Sequence, residues 1–144
     1  MSSDPAPFEV EREAATLRGE AAGEGHPIGL LHGLTATRRY VVHGSRTLER
    51  SGFRTLAYDA RGHGESDPAP AGSGYGFGEL AADLGSVLEA QADGRPYVLA
   101  GHSMGAHTLV AHALAAPERA AALIVIGPAY LGGCLLYTSD AADE

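Results

Sequence analysis

The stretch Tyr97-Val98-Leu99-Ala100-Gly101-His102-Ser103-Met104-Gly105 decides how the rest of the chain is read. A short apolar strand, Tyr97 to Ala100, runs into a Gly-x-Ser-x-Gly pattern, and a stretch that reads as helix, Met104 to Ala115, leaves it. The pattern alone is loose. Set between a buried strand and a helix it acquires physical meaning, because a sharp turn there holds the Ser103 hydroxyl out above a sheet. Neighbouring backbone passes close to such a turn, so side chains at Gly101 and Gly105 are expected to clash. The helix N-terminus beneath brings N–H groups and the positive dipole end towards any oxyanion that develops. Ser103 is therefore the candidate nucleophile.

Working outward, Ile28 to Leu31 is a short apolar run ending in His32-Gly33. Thr37 is expected to cap a helix through about Arg50, with Tyr40, Val41 and Leu48 on one face and Gly52 just past its end. Phe53 to Tyr58 reads as a strand entering the loop Asp59-Ala60-Arg61-Gly62-His63-Gly64-Glu65-Ser66-Asp67. Pro68 to Gly78 is a Pro/Gly-rich linker; its glycines lack a preceding strand and the spacing of a phosphate loop. Leu80, Leu84, Val87 and Leu88 then form a helical stripe. Leu123 to Ile126 is another apolar strand, and Phe8 to Glu13 and Ala15 to Ala22 are strand candidates behind a frayed start. Alternating strand and helix predicts a mostly parallel sheet with helices on both faces. Its working loops lie beyond the carboxyl ends of the strands, here after Leu31, Tyr58 and Ala100.

Three motifs in this order and spacing, His32-Gly33-Leu34, the Asp59–Asp67 loop and the Ser103 elbow, resemble the α/β-hydrolase fold family over roughly Phe8 to Leu131. The resemblance implies that the backbone N–H groups of Leu34 and Met104 form an oxyanion hole. Losing one such donor typically costs about 3 to 4 kcal/mol of barrier. It also implies that Asp59 and Arg61 organise a turn beside the site and that neither Asp59 nor His63 takes part in the chemistry directly. No cofactor or metal is implied, and His107 and His112, five apart, miss the i, i+4 spacing of zinc helices.

A serine nucleophile needs a general base and an acid to orient it. In the family the chain order is Ser, then Asp or Glu, then His. After Ser103 the histidines are His107 and His112, both on the helix leaving the elbow and read as packing or surface residues. Cys134 to Glu144 resemble the in-frame translation of a sequencing-library adapter. Residues 1–133 are therefore expected to be the N-terminal part of one α/β-hydrolase domain, truncated after about the sixth strand, with base and acid beyond it.

Composition narrows the class. A formal charge of −8 and a pI near 5.3 argue against a nucleic-acid surface. No apolar run approaches the roughly 18 residues of a membrane helix. Met1 to Pro5 do not read as a signal peptide, and one cysteine forms no internal disulfide, which fits a cytoplasmic protein. The expectation is a serine hydrolase of small-molecule esters or related acyl bonds. Same-fold alternatives are a haloperoxidase, a C–C hydrolase and an acyltransferase. A non-catalytic hydrolase-like binding protein is the alternative of another class. The resemblance disfavours an epoxide hydrolase or dehalogenase, which would carry Asp where Ser103 stands.

Overall fold

The computed structural model describes residues 4–71 and 74–128. The sequence readings that fall on residues 72, 73 and 129–144, the adapter-like tail included, lie outside the described residues. Six strands form one sheet in the order β1-β2-β4-β3-β5-β6. They are β1 (Ala6–Glu11), β2 (Thr16–Ala22), β3 (His26–Leu31), β4 (Phe53–Tyr58), β5 (Tyr97–His102) and β6 (Ala120–Ile126). β1 and β2 pair antiparallel, as do β2 and β4. β4, β3, β5 and β6 are parallel, and in chain order β3, β4, β5 and β6 follow one another by crossovers, the one from β4 passing β3 to reach β5. This is the mostly parallel sheet the alternating pattern implies.

Helices cover both faces. On one side lie α2 (Phe77–Gln91) and α3 (Met104–Ala115). The predicted stripe of α2, Leu80, Leu84, Val87 and Leu88, is buried throughout. It meets Leu56 and Leu99 from the sheet and Leu109 from α3 in the main core. Each such leucine contributes about 1.5–3 kcal/mol by leaving water. On the other side Val41, Val42 and Leu48 pack over Ile28, Leu30 and Ala100. α3 begins and ends where its sequence predicts.

The segment expected as one helix from Thr37 to Arg50 is broken instead. A 3-10 turn spans Arg38–Tyr40, and a single helical turn, α1, spans Thr47–Arg50. Between them His43 and Gly44 have φ of 48° and 81°, values that end a helix. Ser45 Oγ then accepts from Thr47 N–H at 3.3 Å, the side-chain-to-backbone bond that makes serine a helix competitor. Thr37 sits at the N-cap of the 3-10 turn without a side-chain capping bond. Its neighbour Arg38 is held by tertiary ion pairs, to Asp59, to Glu20 at 3.0 Å and to Glu65 at 2.9 Å. The linker is also shorter than expected, since α2 already includes Phe77 and Gly78.

Candidate active site

Ser103 stands between the end of β5 and the start of α3 with φ 54° and ψ −113°. A positive φ at a non-glycine residue is uncommon and stores strain, which surrounding packing must hold. That packing is visible at the two glycines. A Cβ on Gly101 would lie 2.6 Å from the Gly105 carbonyl, and one on Gly105 would lie 2.5 Å from the Leu31 carbonyl oxygen. The Ser103 N–H donates to the Ile126 carbonyl at 3.0 Å, tying the turn to β6. Ser103 O accepts from His107 N–H at 3.2 Å and opens the helix. The first N–H groups of α3, Met104's among them, have no intrahelical partner.

The loop after β3 lies beside this turn. A Cβ on Gly33 would come within 3.5 Å of Ser103 Cβ. His32 is buried, and its Nε2 accepts from Ala60 N–H at 2.9 Å. The hydrogen of the neutral ring is therefore on Nδ1, which donates to the Gly33 carbonyl at 2.8 Å. Burial pushes the His32 imidazole below its ordinary value, which favours this neutral tautomer. The bonded carbonyl belongs to the Gly33–Leu34 peptide. In a trans peptide the N–H points opposite to the C=O, so holding the carbonyl from one side aims the Leu34 N–H to the other. His32 thereby fixes a donor direction, a role that the His-Gly motif alone did not disclose.

The Asp59–Asp67 loop is an ion-paired frame. The Asp59 carboxylate is fully buried and accepts from Arg38 N–H at 2.8 Å, from the Arg38 guanidinium and from Glu65 N–H at 3.1 Å. Arg61 donates twice to Asp83 on α2, at 2.6 and 2.7 Å, and Arg12 adds a third bond at 2.9 Å. Neither Arg38 nor Asp83 was singled out in the sequence. Their partners lie far along the chain, and no local pattern marks them.

Ser103, Leu34 and Met104 line one open cleft of about 260 Å³, together with Tyr75, Phe77, Leu80 and His107. His107 lies on α3, borders the cleft and sets its ring 5.3 Å from that of Phe77. His112 is a packing histidine as expected. It is buried, and its Nε2 lies 2.7 Å from Tyr97 Oη. The expected site residues Ser103, Leu34, Met104, Gly101, Gly105, His32 and Gly33 thus fall in one region at the carboxyl ends of β3 and β5.

The model of the alpha/beta hydrolase fold family matches residues 26–142, and the chain belongs to that family. Its relatives include the non-heme chloroperoxidase CPO-A1 of Kitasatospora aureofaciens, 33% identical over 69% of this chain and 35% of that protein. The mouse (Mus musculus) sn-1-specific diacylglycerol lipase ABHD11 is 35% identical over 69% of this chain and 31% of its own length. Among solved structures, epoxide hydrolase A from Mycobacterium thermoresistibile superposes with a TM-score of 0.75 at 30% identity, covering 83% of this chain and 38% of that one. The chain therefore spans between 31% and 38% of the length of these relatives. Among the described residues no helix is long and apolar enough to cross a membrane.

Proposed function

We propose that the protein carrying this chain hydrolyses esters or related acyl bonds of small molecules through an acyl-enzyme on Ser103. The observation that carries the proposal is the backbone of Ser103, φ 54° on a strand-to-helix turn, in the same cleft as Leu34 and Met104. In this reading the Ser103 Oγ attacks the carbonyl carbon as its proton passes to an imidazole base. The oxyanion accepts from the Leu34 and Met104 N–H groups. The alcohol then leaves with that proton, and water, activated by the same base, hydrolyses the acyl-enzyme. Neither His112, whose Nε2 faces the Tyr97 hydroxyl, nor the frame residue Asp59 is available for base or acid. Both roles are assigned to chain beyond β6. Cys134–Glu144 is read within the same proposal as adapter-derived, although the family match runs to residue 142.

The relatives' names span a peroxidase, a lipase and an epoxide hydrolase, so membership of the fold does not choose the chemistry. The elbow residue narrows it, although a haloperoxidase, a C–C hydrolase or an acyltransferase would use the same serine elbow. An alkyl-enzyme route through a carboxylate needs Asp at the position that Ser103 holds, whereas a hydroxyl suits acyl transfer. A pure binding protein has no use for a strained serine at the head of a helix.

The test is hydrolysis of p-nitrophenyl acetate by the product of the whole gene. Ser103→Ala is expected to lower kcat by about 10⁴-fold or more, because triad members act as a unit. Undiminished turnover in that variant would sink the proposal. The 144-residue chain by itself is expected to stay at background. Activity of the isolated chain that vanishes in Ser103→Ala would instead put the base within it, at His63 or His107.

A further inference from the structure

His63 sits in the Asp59–Asp67 loop and reaches across to the loop after β3. Its Nε2 lies 2.7 Å from the Leu34 carbonyl oxygen, and its Nδ1 lies 3.0 Å from the Arg61 carbonyl oxygen. Both partners are carbonyl oxygens, which only accept, and a neutral imidazole has one N–H to give; placed on Nε2, at the shorter contact, it donates to Leu34. The ring is 5.1 Å from that of His32. Two histidines thus hold the two successive peptide groups that flank the Leu34 Cα: His32 bonds the Gly33 carbonyl and His63 the Leu34 carbonyl.

The Gly33 carbonyl also accepts from Ala36 N–H at 3.2 Å, and His63 supplies the bond to the carbonyl of Leu34. The Leu34 side chain is 65% exposed, so packing does not fix the residue. The loop that carries His63 is firm by contrast, because His63 N–H donates to the Ala60 carbonyl at 2.9 Å and the Arg61 side chain is locked onto buried Asp83 by two hydrogen bonds. Peptide planes are rigid, and a residue whose two flanking planes are pinned has little torsional freedom left.

Resting on the acyl-transfer reading of Ser103, we infer that His63 is a positioning residue that acts through the Leu34 carbonyl to aim the Leu34 N–H at the oxyanion. It touches no reacting atom. Its contribution is preorganisation, since a donor already aimed at the developing charge costs no rearrangement during the reaction.

The whole-gene product is assayed with p-nitrophenyl acetate as three variants. His63→Ala is expected to lower kcat by roughly 10- to 100-fold, the scale of a small misplacement near reacting atoms, with KM within about twofold. His63→Gln carries an amide N–H at the reach of Nε2 and is expected to recover kcat to within about fivefold of the parent. His63→Asn offers its amide only near the Nδ1 position and is expected to stay as low as His63→Ala. An unchanged kcat in His63→Ala overturns the inference, as does a rise in KM alone, which would make His63 a substrate contact. Equal losses in the Gln and Asn variants also overturn it, and that contrast holds even if the Ala variant folds poorly. Ser103→Ala measured alongside separates the two readings. Activity that survives it removes the acyl-transfer reading, whereas dependence on Ser103 with indifference to His63 removes only the positioning role.

Discussion

Ile28–Leu31 in β3 and Leu123–Ile126 in β6 are both short apolar runs in parallel strands, yet their surroundings differ. β3 pairs with β4 on one edge and β5 on the other, and Ile28, Leu30 and Leu31 are all nearly inaccessible to water. β6 pairs with β5 alone among the described residues, and Leu123, Ile124, Val125 and Ile126 are 40–51% exposed. On α3, which packs against β6, Val110 and Leu114 share an exposed face. An apolar strand in a parallel sheet asks for cover on both faces and both edges. The β3 side receives it from elements within this chain, and the β6 side receives it on one edge. The elbow lies at the boundary, since Ser103 N–H bonds into β6 while Gly105 packs onto β3. The stability that holds the strained serine therefore comes mainly from the β3 side.

The largest effect that follows is in the core. Leu99 on β5 is fully buried against α2 and α3, so Leu99→Ala is expected to cost about 2–5 kcal/mol in urea unfolding. A cost below about 1 kcal/mol would mean that the covered half is no better packed than the exposed one.

Proximity to the elbow was the most legible part of the sequence. The β5-turn-α3 unit is readable because its signals are local: four apolar residues, two glycines that close backbone contacts demand, and a helix stretch with no Gly or Pro after Gly105. Residues 37–50 read as one helix in sequence but are broken in the structure, and Gly44-Ser45 stands in the middle. Apolar spacing at Tyr40, Val41 and Leu48 outweighed that break, and the contacts of Arg38 with Glu20, Asp59 and Glu65 could not be seen from local order. In the site, Ser103, Leu34 and Met104 were reached by motif and resemblance. The bond that fixes the His32 ring, from Ala60, and the bond between His63 and the Leu34 carbonyl connect residues 28 and 29 positions apart, and a sequence pattern carries no such distances.

A shallower effect comes from pH and again falls on the covered half. Burial lowers the His32 and His112 imidazoles below their ordinary value near 6.5. The folded state therefore keeps both neutral, while the unfolded chain takes up protons as pH falls through that value. Where the unfolded state binds more protons, stability rises with pH. This contribution is fully present above about pH 6.5 and is lost as pH falls towards the lowered folded values. The urea midpoint is expected to drop between about pH 7.5 and pH 5.5, and His112→Gln is expected to flatten part of that slope. A midpoint that rises over this interval would contradict the neutral, bonded state of both rings.

The smallest expected effect lies on β6. Val125 pairs in register with Gly101 and is 43% exposed, so truncating it removes little buried surface. In the 144-residue chain Val125→Ala is expected to cost less than about 1 kcal/mol, well below Leu99→Ala. Val125→Lys should be equally mild for stability, and it should reduce self-association, because a charge on an unpaired apolar edge strand discourages edge-to-edge pairing. Light scattering of the two variants at matched concentration measures this. The same Val125→Ala change in the whole-gene product sharpens the contrast. If chain beyond β6 covers this strand, as the proposed function requires, the cost there should rise to about 1–3 kcal/mol, two buried methyls at about 0.5–1.5 kcal/mol each. An equal, small cost in both proteins would leave β6 an exposed edge in either context, and would remove the packing argument for placing the catalytic base and acid beyond it.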